Sequence, residues 1–404
     1  MISFAETPWH TLTAIVAFLA GLAVAFTQKR IFQVPTVFAL ALYAWHTAMC
    51  IVYFVYSLNN IADSTSYYIN SIYRPLDFKA GTEMVTVIVH QFSVVLNMSY
   101  GGTFLVFNIV GFIGMVSLAS ALRSVCKDKR NYTALIITGI LFLPGLSYWS
   151  SAIGKDALTF MASSLACWAA LNLGRRYPAM IIAVIVTAAA RPHIAGILIA
   201  SFAVSSVIFM RLSMMARVSM MLMLAPLAIF AVRYGLEFAG VGDVSSAEAI
   251  TNFVETRQGH NLGGGSSVSI SDMSVPMRLF TYLFRPLIFD AHGLLGIIVS
   301  LENIILFTLL ALTGFHALTR SSSLSHFQIA FFSIFTLVAL MVLANTTANL
   351  GIAIRQKWMV LPMILVLALA VIGQPRRVAR LTVPLSMKRL GRSMRTSDPD
   401  PWLR

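Results

Sequence analysis

Charged side chains are rare in this chain, and those that could take part in chemistry stand singly between long apolar runs. An adjacent lysine and aspartate, Lys155 and Asp156, precede one such run. The other candidates are Asp63, Arg191, His193, Arg285, Asp290, Glu302, Arg355 and Lys357. Guanidinium groups bind diphosphate oxygens through paired hydrogen bonds, and a lysine adds a compact positive charge. These residue types are therefore suited to a ligand that carries a diphosphate.

The candidates divide into two roles. In a site that excludes water, the cations would stabilise the negative charge that develops on a departing diphosphate. A carboxylate, Asp63 or Asp156, could accept the proton of an attacking sugar hydroxyl. We therefore predict a catalytic role for these two aspartates and a substrate-binding role for Lys155, Arg191, His193, Arg285, Asp290, Glu302, Arg355 and Lys357.

Each candidate also has a purely structural interpretation. The lysine–aspartate pair could simply begin a helix, since an acid in the first turn suits the helix dipole. Arg191 could accompany a kink at Pro192 and extend its charge to the membrane interface, and Arg285 could anchor the chain at the membrane surface. Glu302 lies deep enough in an apolar run to need a partner, for which an arginine of this set is the natural choice.

The sequence predicts no metal ion and no other cofactor. The eight histidines are scattered singly, and Cys50, Cys126 and Cys167 have neither disulfide-framework nor zinc-site spacing. The glycines at 263–265 are not followed by the Lys-Ser/Thr pair that completes a phosphate loop.

The composition indicates an all-α, polytopic membrane protein. The chain has 404 residues, of which 58% are hydrophobic and 11% charged, whereas soluble domains carry about 25% charged residues. A membrane-spanning helix needs about 20 apolar residues. Eleven runs approach that length, with one short: 10–27, 34–57, 102–122, 133–149, 157–174, 178–190, 192–210, 213–235, 294–318, 325–345 and 358–373.

The basic residues predict how these spans are oriented. Alternate connections and the tail hold 19 of the 29 basic residues and only three of the 15 acids. The net charge of +14 therefore divides into +16 on this side and −2 on the other. The positive-inside rule then places the amino terminus outside and a basic tail, 374–404, in the cytoplasm after a transmembrane domain of residues 1–373. This asymmetry accounts for the positive charge without a nucleic acid partner.

Two long connections, 58–101 and 236–293, fall on the predicted outer side. An apolar stretch at 84–96 within the first is too short for a span and is predicted to be a re-entrant or interfacial helix. In this topology every candidate site residue lies at, or just beyond, the outer end of a span. We therefore expect residues from distant parts of the sequence to converge on one outward-facing site.

Short islands of the sequence resemble the Wzy and EpsG type of bacterial surface-polysaccharide polymerase. The first runs from Ala62-Asp63 to Tyr67-Tyr68 and on to Gly81-Thr82-Glu83, and the second from Trp149 to Ala157, with Lys155-Asp156 inside it. Later islands are Phe284-Arg285-Pro286, Ser300-Leu301-Glu302-Asn303 and Ile354-Arg355-Gln356-Lys357.

The resemblance implies a GT-C-like glycosyltransferase in the bacterial inner membrane. It would polymerise exopolysaccharide or O-antigen repeat units from an undecaprenyl-diphosphate-linked oligosaccharide at the periplasmic face. Its other expected partners are membrane lipid and a protein that regulates chain length. An O-antigen ligase or a transferase that uses a lipid-phosphate sugar would need a similar site. A transporter or flippase for a lipid-linked sugar is the third possibility, although it should carry charge through the full membrane depth.

Overall fold

All regular structure in the described part of the chain is helical. The structure, a computed structural model, describes residues 2–126, 131–210, 213–223, 226, 229, 267–270, 273–291 and 293–372. These ranges contain no strand, and their one isolated β-bridge joins Ser267 to Asn349. The predicted basic tail, 374–404, and the first part of the connection 236–293 lie outside the described residues.

The α-helices are named here in chain order. The first nine are α1 Pro8–Thr27, α2 Lys29–Phe32, α3 Thr36–Asn59, α4 Asp63–Tyr73, α5 Thr82–His90, α6 Tyr100–Val125, α7 Asn131–Leu141, α8 Pro144–Ser150 and α9 Lys155–Ala170. The rest are α10 Leu173–Ala190, α11 Pro192–Phe209, α12 Met214–Met223, α13 Val275–Phe284, α14 Gly293–Ala317, α15 His326–Thr346, α16 Leu350–Gln356 and α17 Leu361–Ile372.

Seven described helices are long and apolar enough to cross a membrane, and the number rises to nine if each of two bent pairs is one span. These pairs are α7 with α8, bent by 43°, and the α16 segment with α17, bent by 60°. The structure therefore confirms a multi-pass helical architecture but supports fewer spans than the eleven predicted. α9 falls short because it has only 16 residues, and only Met214–Met223 forms a described helix in the predicted span 213–235.

Local sequence explains several helix boundaries. Thr7 accepts a hydrogen bond from the backbone N–H of His10, and Ser99 does the same for Gly102, so each satisfies an otherwise unpaired donor at a helix start. Pro192 cannot continue α10, and that helix ends at Ala190, as the sequence predicts.

The connection 58–101 is largely helical rather than an open loop. α4 occupies its first part, and the predicted short apolar helix appears as α5 followed by a π-helical turn, Gln91–Val95. In the connection 236–293, α13 is a packed helix whose last residues, 281–284, are buried.

The centre of the bundle is α9, which packs chiefly against α6 and α10. Its residues from Ala157 to Ala170 are all buried. By contrast α1, α10 and α14 bury only 22–28% of their most apolar window inside the protein. Their exposed apolar surface is large enough to need a cover such as lipid.

A buried polar network ties α3, α6 and α8 together inside this bundle. His46 Nδ1 lies 2.5 Å from Asn108 Oδ1, and His46 Nε2 lies 3.0 Å from Ser150 Oγ. A Cβ on Gly111 would lie 1.9 Å from the Ser150 carbonyl oxygen, so glycine is needed for this close approach. His46 is therefore a core histidine with both ring nitrogens engaged.

At one end of the bundle, several connections with flanking basic residues meet. Arg320 donates a 2.5 Å hydrogen bond to the Ile372 carbonyl oxygen, and Arg176 donates one of 2.8 Å to the Trp168 carbonyl oxygen. Gln328 reaches the Ala170 carbonyl oxygen from the start of α15. α9 ends here and begins at the other end, where the candidate site residues gather.

Candidate functional site

A cleft of about 230 Å³ opens at the end of the bundle where α9 begins. Its lining residues are Tyr53, Asp63, Ser66, Tyr67, Asn70, Thr82, Trp149, Ala152, Ile153, Gly154, Lys155, Asp156, Arg191, Arg355 and Gln356. Five of them, Asp63, Lys155, Asp156, Arg191 and Arg355, are site residues that the sequence predicts. The structure therefore brings together charges from four separate stretches of the chain.

Four of these charges form a continuous ion-pair network. Arg191 Nη2 lies 2.6 Å from Asp156 Oδ1, and Arg355 Nε lies 3.9 Å from Asp156 Oδ2. Arg355 Nη1 also donates to Asp63 Oδ2. Both guanidinium groups of the cleft are therefore already paired with carboxylates of the protein.

Lys155 is the cation of the cleft that lacks such a carboxylate. Its ammonium forms no ion pair or hydrogen bond with another described residue. Burial, with a further contribution from the nearby positive charge of Arg191, lowers the pKa of Lys155 to about 8. An incoming anion would favour the charged form of this lysine, since opposite charges raise the pKa of an amine.

The backbone places these residues at the cleft for identifiable reasons. Gly154 has φ 157° and ψ −176°, a conformation that is essentially restricted to glycine, and it allows α9 to start directly at Lys155. Arg191 occupies the break that Pro192 imposes between α10 and α11. Asp63 is the first residue of α4.

One face of α4 lines the cleft at helical spacing, with Asp63, Ser66, Tyr67 and Asn70 all among the lining residues. Residues with these separations lie on one side of a helix. Burial is the main cause that raises the pKa of the Tyr67 phenol, and the charge of Asp63 adds to it, so the phenol stays protonated and can donate a hydrogen bond. The sequence predicts a site role for only one residue of this face, Asp63, although the polar spacing of 63, 66, 67 and 70 is a usable signal.

Glu302 and Lys357 do not line the cleft. Both side chains are buried, with exposed fractions of 3% and 0%. Glu302 Oε1 accepts a 2.5 Å hydrogen bond from the Gly145 N–H, and its charged neighbour is Lys357 rather than the arginine that the sequence suggested. Lys357 donates to Asn303 Oδ1 and, at 3.4 Å, to the Leu283 carbonyl oxygen.

Arg285 and Asp290 form a separate bidentate pair. Arg285 Nε lies 2.8 Å from Asp290 Oδ2, and Nη2 lies 2.7 Å from Oδ1. The hydrogen bonds to Asp290 raise the pKa of Arg285. Neither residue is part of the cleft lining, and neither is His193 in α11. The predicted set therefore divides into the cleft, the buried Glu302–Lys357 cluster, the Arg285–Asp290 pair and His193.

The fold defines a class, that of multi-pass helical membrane proteins with a charged cleft at one end of the bundle. Comparison with known proteins adds no narrower assignment, because no protein-family model, curated protein or solved structure matches this chain. Within the described ranges, no three His, Cys, Asp or Glu side chains lie together in an arrangement that could hold a metal ion.

Proposed function

We propose that this protein is a polymerase of exopolysaccharide or O-antigen repeat units. It would transfer glycan from an undecaprenyl-diphosphate donor at the periplasmic face of the bacterial inner membrane. The observation that carries the proposal is the convergence of Lys155, Arg191 and Arg355 with two aspartates in one cleft. Three cations around two carboxylates leave a net positive site for an anionic ligand.

The proposed reaction assigns each charge a task. The bond between the anomeric carbon and the diphosphate oxygen breaks, and its electron pair leaves with the diphosphate. Lys155, Arg191 and Arg355 stabilise that charge, while a hydroxyl of the acceptor glycan forms the new bond. The hydroxyl proton passes to a carboxylate.

Asp63 is the better candidate for the base. Asp156 is held between Arg191 and Arg355, and its side chain is 20% exposed, against 59% for Asp63. Asp63 is therefore more accessible to an acceptor. In the resting cleft its carboxylate contacts Arg355, so binding of the diphosphate to that arginine would release the base at the moment it is needed.

The proposed topology retains the amino terminus outside and about eleven spans. It is supported by the contacts of Arg176 and Arg320 at the end of the bundle away from the cleft. These arginines belong to the basic connections assigned to the cytoplasm, so the positive-inside rule favours a periplasmic cleft.

The function is tested by polysaccharide length in a deletion strain that carries wild type, Arg191→Ala or Arg355→Ala. We expect long polymer with wild type and lipid-linked single repeats with either variant. Loss of one group that stabilises transition-state charge typically costs about 100-fold or more in rate. Arg74→Ala is the matched control, because Arg74 caps α4, near the cleft, but is exposed and does not line it.

Membrane levels of all variants are compared before chain length is scored. Wild-type chain lengths from both cleft variants would refute the proposed site. Full-length polymer that is never attached to its acceptor in the deletion strain would indicate a ligase. Repeats trapped on the cytoplasmic side would indicate a flippase.

A further inference from the structure

We infer that Glu302 and Lys357 are positioning residues, which hold two walls of the cleft in place from beneath it. The inference relies on the proposed function only for the role of the cleft. The contacts of Glu302 and Lys357 do not depend on that function. It replaces direct substrate binding as the role of these two residues.

Glu302 holds the start of α8. Its carboxylate lies directly against Gly145. Oε1 accepts a hydrogen bond from the Gly145 N–H, and a Cβ added to Gly145 would lie 2.3 Å from Oε2. The N–H groups of the first helical turn lack partners within the helix, so an anion placed there is stabilised. α8 carries Trp149, a lining residue of the cleft, and leads towards Lys155.

Lys357 holds a second wall. It lies in the 3-10 turn Lys357–Met359, which directly continues α16, the helix of Arg355. Its ammonium donates to Asn303, the residue next to Glu302, and to the Leu283 carbonyl oxygen at the end of α13. A buried charge with these partners fixes the segment, because any displacement leaves it unsolvated.

Asn303 completes the connection between the two walls. Its Nδ2 donates a 2.9 Å hydrogen bond to the Pro286 carbonyl oxygen, while its Oδ1 accepts from Lys357. Residues 302 and 303 of α14 therefore join α8, the α16 segment and the chain after α13. The opposite charges of Glu302 and Lys357 attract one another across this junction.

A positioning pair and a pair of substrate ligands differ in whether their removal alters the cleft before any ligand binds. Removing one member of a buried pair leaves the other uncompensated, which disturbs the structure around it. Removing both restores neutrality, and Gln at 302 can still accept a hydrogen bond from Gly145, but Met at 357 cannot donate to Asn303 or to the Leu283 carbonyl oxygen. If the pair positions the cleft, a double variant should therefore recover only part of the loss, and the cleft should be altered even without a ligand.

The test compares Glu302→Gln, Lys357→Met and the double variant in purified full-length protein in detergent. The first readout is the Kd for inorganic pyrophosphate, used as a probe of the cleft. The second is the rate of maleimide labelling of Ser66→Cys in a Cys126→Ser background, which reports access to the cleft without any ligand. We expect each single variant to weaken pyrophosphate binding about tenfold and to change the labelling rate, and the double variant to recover part of the binding while its labelling rate stays altered.

Several results would overturn the inference. A Lys357→Met variant that binds pyrophosphate weakly but is labelled at the wild-type rate would make Lys357 a direct ligand, and single variants that match wild type in both readouts would leave the pair without a positioning role. If a single variant does not fold, the double variant decides, since altered labelling supports positioning and wild-type labelling opposes it. The labelling arm also decides if wild type binds no pyrophosphate, a result that would count against the proposed function instead.

Discussion

The cleft and the Glu302–Lys357 cluster both contain acidic and basic side chains. Those of the cleft line an open cavity, whereas those of the cluster are buried. In the cleft, carboxylates and guanidinium groups line an open cavity of about 230 Å³. Lys155 has no carboxylate partner there among the described residues. In the buried cluster, Lys357 is fully enclosed and donates to two oxygens. The first arrangement can accept an additional anion, whereas Lys357 in the second exposes no surface to one.

This difference shows why position along a span is a poor guide to role. Arg355 and Lys357 are near neighbours in sequence, yet the helical turn directs one into the cleft and the other into the protein core. Charges near the end of a membrane helix can bind a ligand or hold a neighbouring helix, and burial distinguishes the two cases.

Replacement of Gly145 by alanine tests the buried cluster with the largest expected effect. The new Cβ would lie 2.3 Å from Glu302 Oε2, so the carboxylate or α8 must move. We expect a loss of about 1–3 kcal/mol of stability, as for other overpacked sites, measured by thermal unfolding in detergent. Gly139→Ala in α7 is the matched control, because nothing lies within 4 Å of its added Cβ. Equal unfolding temperatures for the two variants would contradict a tight contact at Gly145.

Replacement of Asp63 by asparagine tests the cleft. The substitution removes an anion that competes for Arg355, so pyrophosphate should bind about threefold to fivefold more tightly, the scale of an exposed ion pair. Polymer formation should nevertheless be lost, because the amide cannot accept the proton. Titration calorimetry and polysaccharide length measure the two effects. Weaker binding together with lost polymer would instead make Asp63 part of the ligand-binding framework.

The smallest expected effect is a pH dependence that Lys155 confers on the cleft. Because its pKa is lowered to about 8, the lysine is charged at pH 7 and loses its proton as the pH rises through and above that value. Pyrophosphate affinity of wild type should therefore fall about threefold more between pH 7 and pH 9.5 than that of Lys155→Arg, which stays protonated. Pyrophosphate itself also loses protons as the pH rises, but this effect is the same for wild type and Lys155→Arg and does not affect the comparison. Parallel pH profiles would show that Lys155 does not contact the anion.

Much of the architecture could be predicted from the sequence because apolar runs of about 20 residues are a strong signal. The helices Thr36–Asn59 and His326–Thr346 closely follow the predicted spans 34–57 and 325–345. The convergence of Lys155, Arg191 and Arg355 was also predicted, since it follows from which ends of the helices lie together.

The sequence could not predict which of the charged side chains would be buried and which would line the cleft. Glu302 faces Gly145 because α8 starts a bent segment there. Pro144 indicates the break between α7 and α8, but it does not indicate which side chain the start of α8 will contact. The count of eleven spans stays a prediction, since seven to nine described helices qualify. α9 lies in the predicted run 157–174, but the helix ends at Ala170 and the chain turns through Leu171 and Asn172 before α10.

The shortness of α9 also has a consequence for where the cleft lies in a membrane. A helix of 16 residues rises about 24 Å, which is less than the apolar thickness of about 30 Å of a typical bilayer. With one end at one boundary of the apolar layer, the other would stop a few ångströms inside it. Because α9 is buried among longer helices such as α6, with 26 residues, Lys155 would then lie in a recess below the ends of its neighbours, and a ligand would have to enter that recess to reach it.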